Sequence, residues 1–137
     1  MIVLDASAAV DLLFDFGAGA AQVRERIEDE DAGEAHESLH VPHLFEVEVL
    51  HAIRDLAVGA RISADRGLRA VEALSDLRLI RYSHAPLVAR IWDLRSNFTA
   101  YDTAYVALAE ALDAPLVTTD GRLARAPGHR ARVELYP

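Results

Sequence analysis

The chain has 137 residues, a formal net charge of -8 and no cysteine, so it fits one domain over residues 1–137 and excludes disulfides, thiolate nucleophiles and zinc–thiolate sites. Its apolar runs are too short for a membrane span and its first residues lack a basic leader segment, so we expect a cytoplasmic protein with no membrane contact. The negative charge argues against a general nucleic-acid binder, although 11 of the 14 basic residues follow position 60.

The first elements in chain order are a strand and two helices. Residues 2–4 are all apolar, which predicts a strand buried on both faces, and Asp5 follows directly. A helix is expected at 6–14, and glycines separate it from a second helix at 20–28. The acidic stretch that follows, up to Glu37, is expected to be a solvated loop.

A long helix dominates the next part of the chain. A brief strand at 39–41 leads into Pro42, which is expected to open a helix that ends near Val58. Its apolar residues recur at helical spacing, so one face should be buried. Glu46 and Glu48 both lie within it, and helical periodicity alone does not separate their roles.

The middle of the chain predicts two further helices and a strand. Ser63 is expected to cap the first helix, and a strand at 79–82 and a helix at 85–95 follow. Trp92 lies in the second of these helices. We expect Trp92 and Tyr101 to pack in the core or at a dimer contact rather than to stack on bases.

The clearest pattern begins at Thr99, which is followed three residues later by Asp102, as in a capping box. Apolar residues from Tyr105 onward then recur at helical spacing, which predicts a helix. The short apolar and β-branched stretch 116–119 is typical of a strand in a parallel sheet, and Asp120 follows it.

A short helix and a last strand at 133–135 complete an alternation of strands and helices along the whole chain. This alternation predicts an α/β fold with a parallel sheet wrapped by helices. In such sheets, ligands bind beyond the carboxyl ends of the strands, where Asp5 and Asp120 are expected. Asp102 begins the helix that should pack between them, so three carboxylates would share one edge.

Each of these acids also has a purely structural explanation. Asp5 and Asp120 could cap the helices that follow them, and Asp102 could be the acid of a capping box. Glu48 could be a surface residue. Together they favour a bound cation, because two carboxylates about 4 Å apart repel by roughly 4 kcal/mol at an effective dielectric near 20. Oxygen ligands without cysteine favour Mg²⁺ or Mn²⁺ over zinc.

At the level of motifs the sequence resembles a known family. Nearly the whole chain is spanned by four segments in this order: MIVLDAS, PHLFEVEVLHAIR, TAYDTAYVALAEAL and LVTTD. This set resembles the PIN-domain ribonucleases of toxin–antitoxin systems, the VapC family. The resemblance implies a three-layer α/β/α sandwich with a central parallel sheet of four to five short strands. It also implies metal-dependent endonucleolytic cleavage of RNA, with Mg²⁺ or Mn²⁺ as cofactor and 5′-phosphate and 3′-hydroxyl products.

The resemblance also implies which residues form the site. The family's acids carry over to Asp5, Glu48, Asp102 and Asp120. The metal is expected on the three aspartates, and Glu48 completes the cluster. Glu46 is the alternative to Glu48, but the family's spacing from a proline matches Pro42 and Glu48. The hydroxyl residues expected to line the site are Ser7, Thr99 and Thr119, for which helix capping remains the alternative.

Partners follow from the same resemblance. Members of the family form homodimers and are inhibited by a VapB-like antitoxin. They contact operator DNA only through that antitoxin. The antitoxin's helical segment lies in an apolar groove, and the surplus apolar residues of the 6–14 helix and its end could form that groove or belong to the core. The arginines that could attract RNA, or form solvated salt bridges instead, are Arg95, Arg122 and Arg125.

Three other classes of protein fit parts of this pattern. A haloacid dehalogenase-like phosphatase would use Asp5 as nucleophile, but it needs a second acid at the position of Ser7 and a late lysine, and the chain has no lysine. The missing lysine also argues against a receiver domain. A catalytically degenerate PIN-fold binding module remains the alternative.

Overall fold

A computed structural model of the chain describes residues 1–28 and 37–137, so most of the acidic loop predicted before Glu37 lies outside the described residues. The described residues form five short parallel strands in one sheet, in the order β3-β2-β1-β4-β5. The strands are β1 (Ile2–Leu4), β2 (Leu39–Pro42), β3 (Leu79–Tyr82), β4 (Leu116–Thr118) and β5 (Val133–Leu135). The predicted α/β fold with a parallel sheet is confirmed.

Helices connect successive strands and cover the sheet. Within the described ranges they are α1 (Ala6–Phe14), α2 (Gly17–Glu28), α3 (Phe45–Val58), α4 (Ala64–Asp76), α5 (Val88–Asp93), α6 (Ala100–Leu112) and α7 (Gly121–Arg125). α1 packs on α2, α3 and α4, while α5 packs on α6, which lies against β1 and β2. In these parts of the chain, none of the helices has the length and apolar character needed to cross a bilayer.

The centre of the sheet is β1, whose three residues are fully buried. Val3 pairs with His40 of β2 on one side and with Leu116 of β4 on the other. Helix α6 is equally enclosed, since every residue from Thr103 to Ala109 is buried. The small alanine side chains of α6 allow the helix to lie close to the sheet. This packing fixes the first turn of α6 relative to the end of β1.

Four helix boundaries differ from the sequence-based prediction. Pro42 ends β2 opposite Tyr82 instead of opening α3, which begins at Phe45. Proline fits the end of a strand as well as the first turn of a helix, so its presence did not decide between them. Helix α2 begins at Gly17, whose φ of 66° accommodates the turn. Helix α5 begins at Val88 instead of residue 85, because residues 85–87 form a separate 3-10 turn, and it ends at Asp93, two residues early.

The prediction that Trp92 and Tyr101 pack in the core is wrong for the single chain. Their exposed fractions are 66% and 63%. The alternative, a dimer contact, stays a prediction. Some of the apolar surplus at the end of α1 does belong to the core, because Phe14 is buried and its ring stacks on Phe16 with centroids 5.1 Å apart. The guanidinium of Arg66, on α4, lies over both rings.

Candidate active site

Two of the predicted acids follow neighbouring strands at one edge of the sheet. β1 and β4 are adjacent, and Asp5 and Asp120 come directly after the carboxyl end of β1 and two residues after that of β4. From β1 the chain goes first to β2 on one side and later to β4 on the other, so this edge is a topological switch point. The first turns of α3 and α6 bring Glu48 and Asp102 to the same region.

Asp5 is held by hydroxyl groups. It is 5% exposed, and its Oδ2 accepts hydrogen bonds from the hydroxyls of Ser7 and Thr118, the latter at 2.8 Å. Thr118 in turn accepts a hydrogen bond from the backbone N–H of Asp120 at 3.0 Å. The two strand ends are therefore joined through one hydroxyl.

Thr118 was not predicted as a site residue. Thr119, which was, joins the site through its backbone N–H, which donates to Ser7 Oγ at 3.2 Å. Thr118 ends β4 with its side chain fully buried toward Asp5, and adjacent residues of a strand point to opposite faces. The order of the two threonines in the sequence did not reveal which one faces Asp5.

The structure separates the two glutamates of α3. Glu48 Oε2 accepts a hydrogen bond of 2.6 Å from the hydroxyl of Tyr105, on α6. Glu46 forms an ion pair with Arg81, on β3. Of the two, Glu48 therefore bonds to α6 and Glu46 to β3, and the choice of Glu48 as the site residue stays a prediction.

Burial and the charges of neighbouring acids act together on the carboxyl groups of Asp5 and Glu48. Burial raises the pKa of Asp5, and the charge of Asp102 raises it further against the opposing hydroxyl hydrogen bonds. Burial likewise raises the pKa of Glu48, with contributions from the charges of Asp5 and Asp102, while the hydrogen bond from Tyr105 lowers it. None of the three forms an ion pair with another residue in the described ranges.

Asp120 has a different environment. Its Oδ1 accepts the backbone N–H of Arg122 at 2.7 Å, which caps α7, and its Oδ2 lies 3.2 Å from the Arg122 guanidinium. Burial alone raises the pKa of Asp120, but the hydrogen bonds and charge of Arg122 outweigh it and lower the pKa. Asp120 shares a cavity of about 440 Å³ with Asp102, Thr99 and Arg122.

Thr99 has the capping role that was its alternative. Its hydroxyl accepts the backbone N–H of Asp102 at 3.2 Å and thereby caps α6. Because it also lines the cavity, the cap and the site coincide at this residue. Of the predicted arginines, Arg122 lines the cavity as well, whereas Arg95 packs over the Trp92 ring at 4.5 Å.

The chemistry of the donors fits a hard divalent cation. In residues 1–28 and 37–137, no three acidic or histidine side chains are grouped closely enough to hold a metal ion by themselves. Mg²⁺ does not require such a cage, since it keeps several waters and binds through one or two carboxylates. In the described structure, Asp5 Oδ1 and Glu48 Oε1 receive no side-chain hydrogen bond, so each carboxylate has an oxygen available.

Comparison with known sequences gives consistent similarities. Residues 2–129 match the family model of the PIN domain. Ribonuclease VapC12 of Mycobacterium tuberculosis is 47% identical over 135 residues, which cover 98% of both chains. Ribonuclease VapC1 of the same organism is 44% identical over 135 residues, covering 97% of this chain and 96% of that protein.

Solved structures show the same fold. PAE2754 from Pyrobaculum aerophilum superposes with a TM-score of 0.64 at 25% identity, covering 95% of this chain and 89% of that one. A chain in the crystal structure of VapBC2 from Rickettsia felis bound to a promoter DNA fragment superposes with a TM-score of 0.68 at 14% identity over the full length of both. The latter similarity concerns the fold alone.

Proposed function

Because this chain belongs to the PIN domain family, and within it to the VapC ribonucleases, we propose that it is the toxin of a toxin–antitoxin pair and hydrolyses RNA internally with a bound Mg²⁺ or Mn²⁺ ion. The observation that carries the metal-dependent part is the group of three carboxylates, Asp5, Glu48 and Asp102, whose charges act on one another and none of which forms an ion pair within residues 1–28 and 37–137. Repulsion between two such charges costs roughly 4 kcal/mol at about 4 Å and an effective dielectric near 20. A divalent cation would relieve it.

The aspartates are proposed to hold the ion, and Glu48 to complete the cluster. When bound, the ion supplies an activated water and neutralises charge on the phosphate. Ser7 and Thr118 fix the buried Asp5, so that this ligand needs little reorganisation. Arg122 stands at the rim of the cavity, 89% of its side chain exposed, and is the cation placed to meet a phosphate oxygen of the RNA.

The partners are proposed by family membership. We expect a VapB-like antitoxin to bind this chain, to occupy its site and to make the only link to operator DNA. We also expect a homodimer, for which the exposed Trp92 and Tyr101 are suitable contact residues. The cytoplasm, where RNA and antitoxin are made, is the proposed location.

The proposal is tested by incubating the antitoxin-free protein with total cellular RNA and mapping the cut ends by sequencing. We expect discrete cuts with Mg²⁺ or Mn²⁺ and none after chelation. Asp102→Asn should lose roughly 100- to 1000-fold in rate, because several kcal/mol of transition-state stabilisation depend on the ion it holds. Glu46→Gln is the matched control on the other side of α3, and it should cleave as the wild type does.

Two outcomes would contradict the proposal. Folded wild-type protein that cuts no RNA with either ion would favour a binding module. Cuts that persist after chelation, or in Asp102→Asn at the wild-type rate, would assign the cleavage to a contaminant or to chemistry without these acids.

A further inference from the structure

Helix α6 carries a second polar group toward the site besides Asp102. Tyr105 follows Asp102 by three residues, a spacing that places both on neighbouring parts of the helix surface. Its side chain is fully buried, and its hydroxyl donates a 2.6 Å hydrogen bond to Glu48 Oε2 on α3. The sequence pattern had assigned Tyr105 only to the apolar stripe of the helix.

We propose that Tyr105 is a positioning residue for RNA cleavage, whose hydroxyl holds the Glu48 carboxylate in place across the α3–α6 contact. This inference rests on the proposed ribonuclease function. Helix α6 then has two roles: it presents the carboxylate of Asp102, and it orients the carboxylate of Glu48 on α3.

A neutral donor is suited to this task. An arginine in the same place would neutralise Glu48, as Arg81 neutralises Glu46. The hydroxyl instead leaves the negative charge of Glu48 in the cluster and leaves Oε1 without a side-chain donor. Hydrogen bonds to a charged acceptor are roughly twice as strong as those between neutral groups, so one such bond restricts a half-buried glutamate effectively.

The alternative is that Tyr105 only fills the core. Filling requires the aromatic ring, and phenylalanine provides that ring without the hydroxyl. A second tyrosine offers a matched control: the hydroxyl of Tyr82, on β3, forms a 2.7 Å hydrogen bond with His40 Nδ1 on β2. This bond has nearly the same length as that of Tyr105 but does not involve the acids.

The test compares Tyr105→Phe, Tyr82→Phe, Glu48→Gln and the double variant Glu48→Gln/Tyr105→Phe. An RNA oligonucleotide containing a mapped cut site serves as substrate, and kcat, KM, melting temperature and Mn²⁺ affinity by calorimetry are measured. We expect Tyr105→Phe to lower kcat about 10-fold, as loss of a residue that orients a member of a metal site does, with KM within about twofold. Tyr82→Phe should leave kcat unchanged at a temperature where both variants are folded.

Coupling to Glu48 is the decisive readout. In the Glu48→Gln background, Tyr105→Phe should cause no further loss of kcat and no further change in Mn²⁺ affinity, because the group that it positions has already been altered. Mn²⁺ affinity gives this comparison even where Glu48→Gln has no measurable activity. Wild-type kcat in Tyr105→Phe, additive losses in the double variant, or an equal loss in Tyr82→Phe would each overturn the proposal.

Failure of the ribonuclease function itself is seen separately. It appears as absence of cleavage by the wild-type protein. In that case the Mn²⁺ affinities of the four variants still decide whether the Tyr105 hydroxyl acts through Glu48.

Discussion

Asp5 is a buried carboxyl group surrounded by hydroxyls, and this has a consequence for stability. Its pKa is raised above the ordinary value of 3.8, first by burial and then by the charge of Asp102. A carboxyl group with a raised pKa in the folded state binds more protons folded than unfolded. Its contribution to stability is therefore present below the unfolded-state pKa and is lost as the pH rises through the folded-state pKa.

We predict that Asp5→Asn stabilises the metal-free protein increasingly as the pH rises above about 4. Each unit of pKa shift removed corresponds to about 1.4 kcal/mol, and each kcal/mol to roughly 3–4 °C in melting temperature for a chain of this size. Melting curves of both proteins in chelator, from about pH 4 to 8, measure the difference. Asp76→Asn, which removes an exposed carboxylate at the end of α4, is the control. If the melting temperatures of the two variants depend on pH in the same way, burial of the Asp5 carboxyl group does not destabilise the protein.

At the scale of single residues, the acids could be predicted from the sequence but their supporting donors could not. Asp5 and Asp120 are recognisable because each follows an apolar strand. Thr118 and Tyr105 are not, because their roles depend on which face of β4 and α6 points toward the acids. That direction is set by packing between elements far apart in the sequence, which local patterns do not contain.

At the scale of elements, two helices begin with the same kind of cap in different surroundings. Ser63 accepts the backbone N–H of Arg66 at 3.1 Å at the start of α4, and Thr99 accepts that of Asp102 at 3.2 Å at the start of α6. Both cap residues are exposed. The difference is that the donor at α6 is the backbone of a predicted metal ligand.

We predict that Ser63→Ala and Thr99→Ala each lower the free energy of unfolding by about 1 kcal/mol, as loss of a helix cap does. Only Thr99→Ala should also slow RNA cleavage, because it loosens the turn that presents Asp102. Urea denaturation and cleavage rates measure the two effects. Equal cleavage rates for the two variants would show that Thr99 caps α6 and has no role in RNA cleavage.

At the scale of the whole molecule, β5 and the residues after it pack against α2. Glu134, in β5, accepts a hydrogen bond of 2.8 Å from Arg26 of α2, and Tyr136 lies against Gly19 of the same helix. A Cβ atom at position 19 would overlap the backbone carbonyl of Tyr136. Glycine is therefore required there by a contact between the two ends of the sequence.

We predict that Gly19→Ala lowers the free energy of unfolding by about 1–3 kcal/mol through overpacking. Gly67, in α4, is the matched control, because a Cβ there would make ordinary contacts of 3.6 Å with Ile62 and 3.7 Å with Ile53. Gly67→Ala should stabilise by roughly 0.4–1 kcal/mol, since alanine is the better helix former. Chemical denaturation measures the free energy of unfolding of both variants. A Gly19→Ala protein as stable as the wild type would show that the C-terminal segment moves away from α2 without loss of stability.

The whole architecture was predictable in class and partly in detail. Alternation of strands and helices predicted the parallel sheet, and the five strands were placed nearly at their observed positions. The enclosure of α6 from Thr103 to Ala109 was not predicted, because helical spacing identifies one apolar face and does not show that the residues between its members are buried as well. The boundary at Pro42 was missed because proline suits both neighbouring elements.

The position of β1 at the centre of the sheet also sets the order in which the protein becomes complete during translation. Asp5 is made 113 positions before Thr118, whose hydroxyl holds it. β1 therefore lacks its neighbour β4 while the residues between them are being translated. Under the proposed function, a nascent or prematurely terminated polypeptide that lacks β4 has no assembled site, so it does not cleave the RNA close to the translating ribosome.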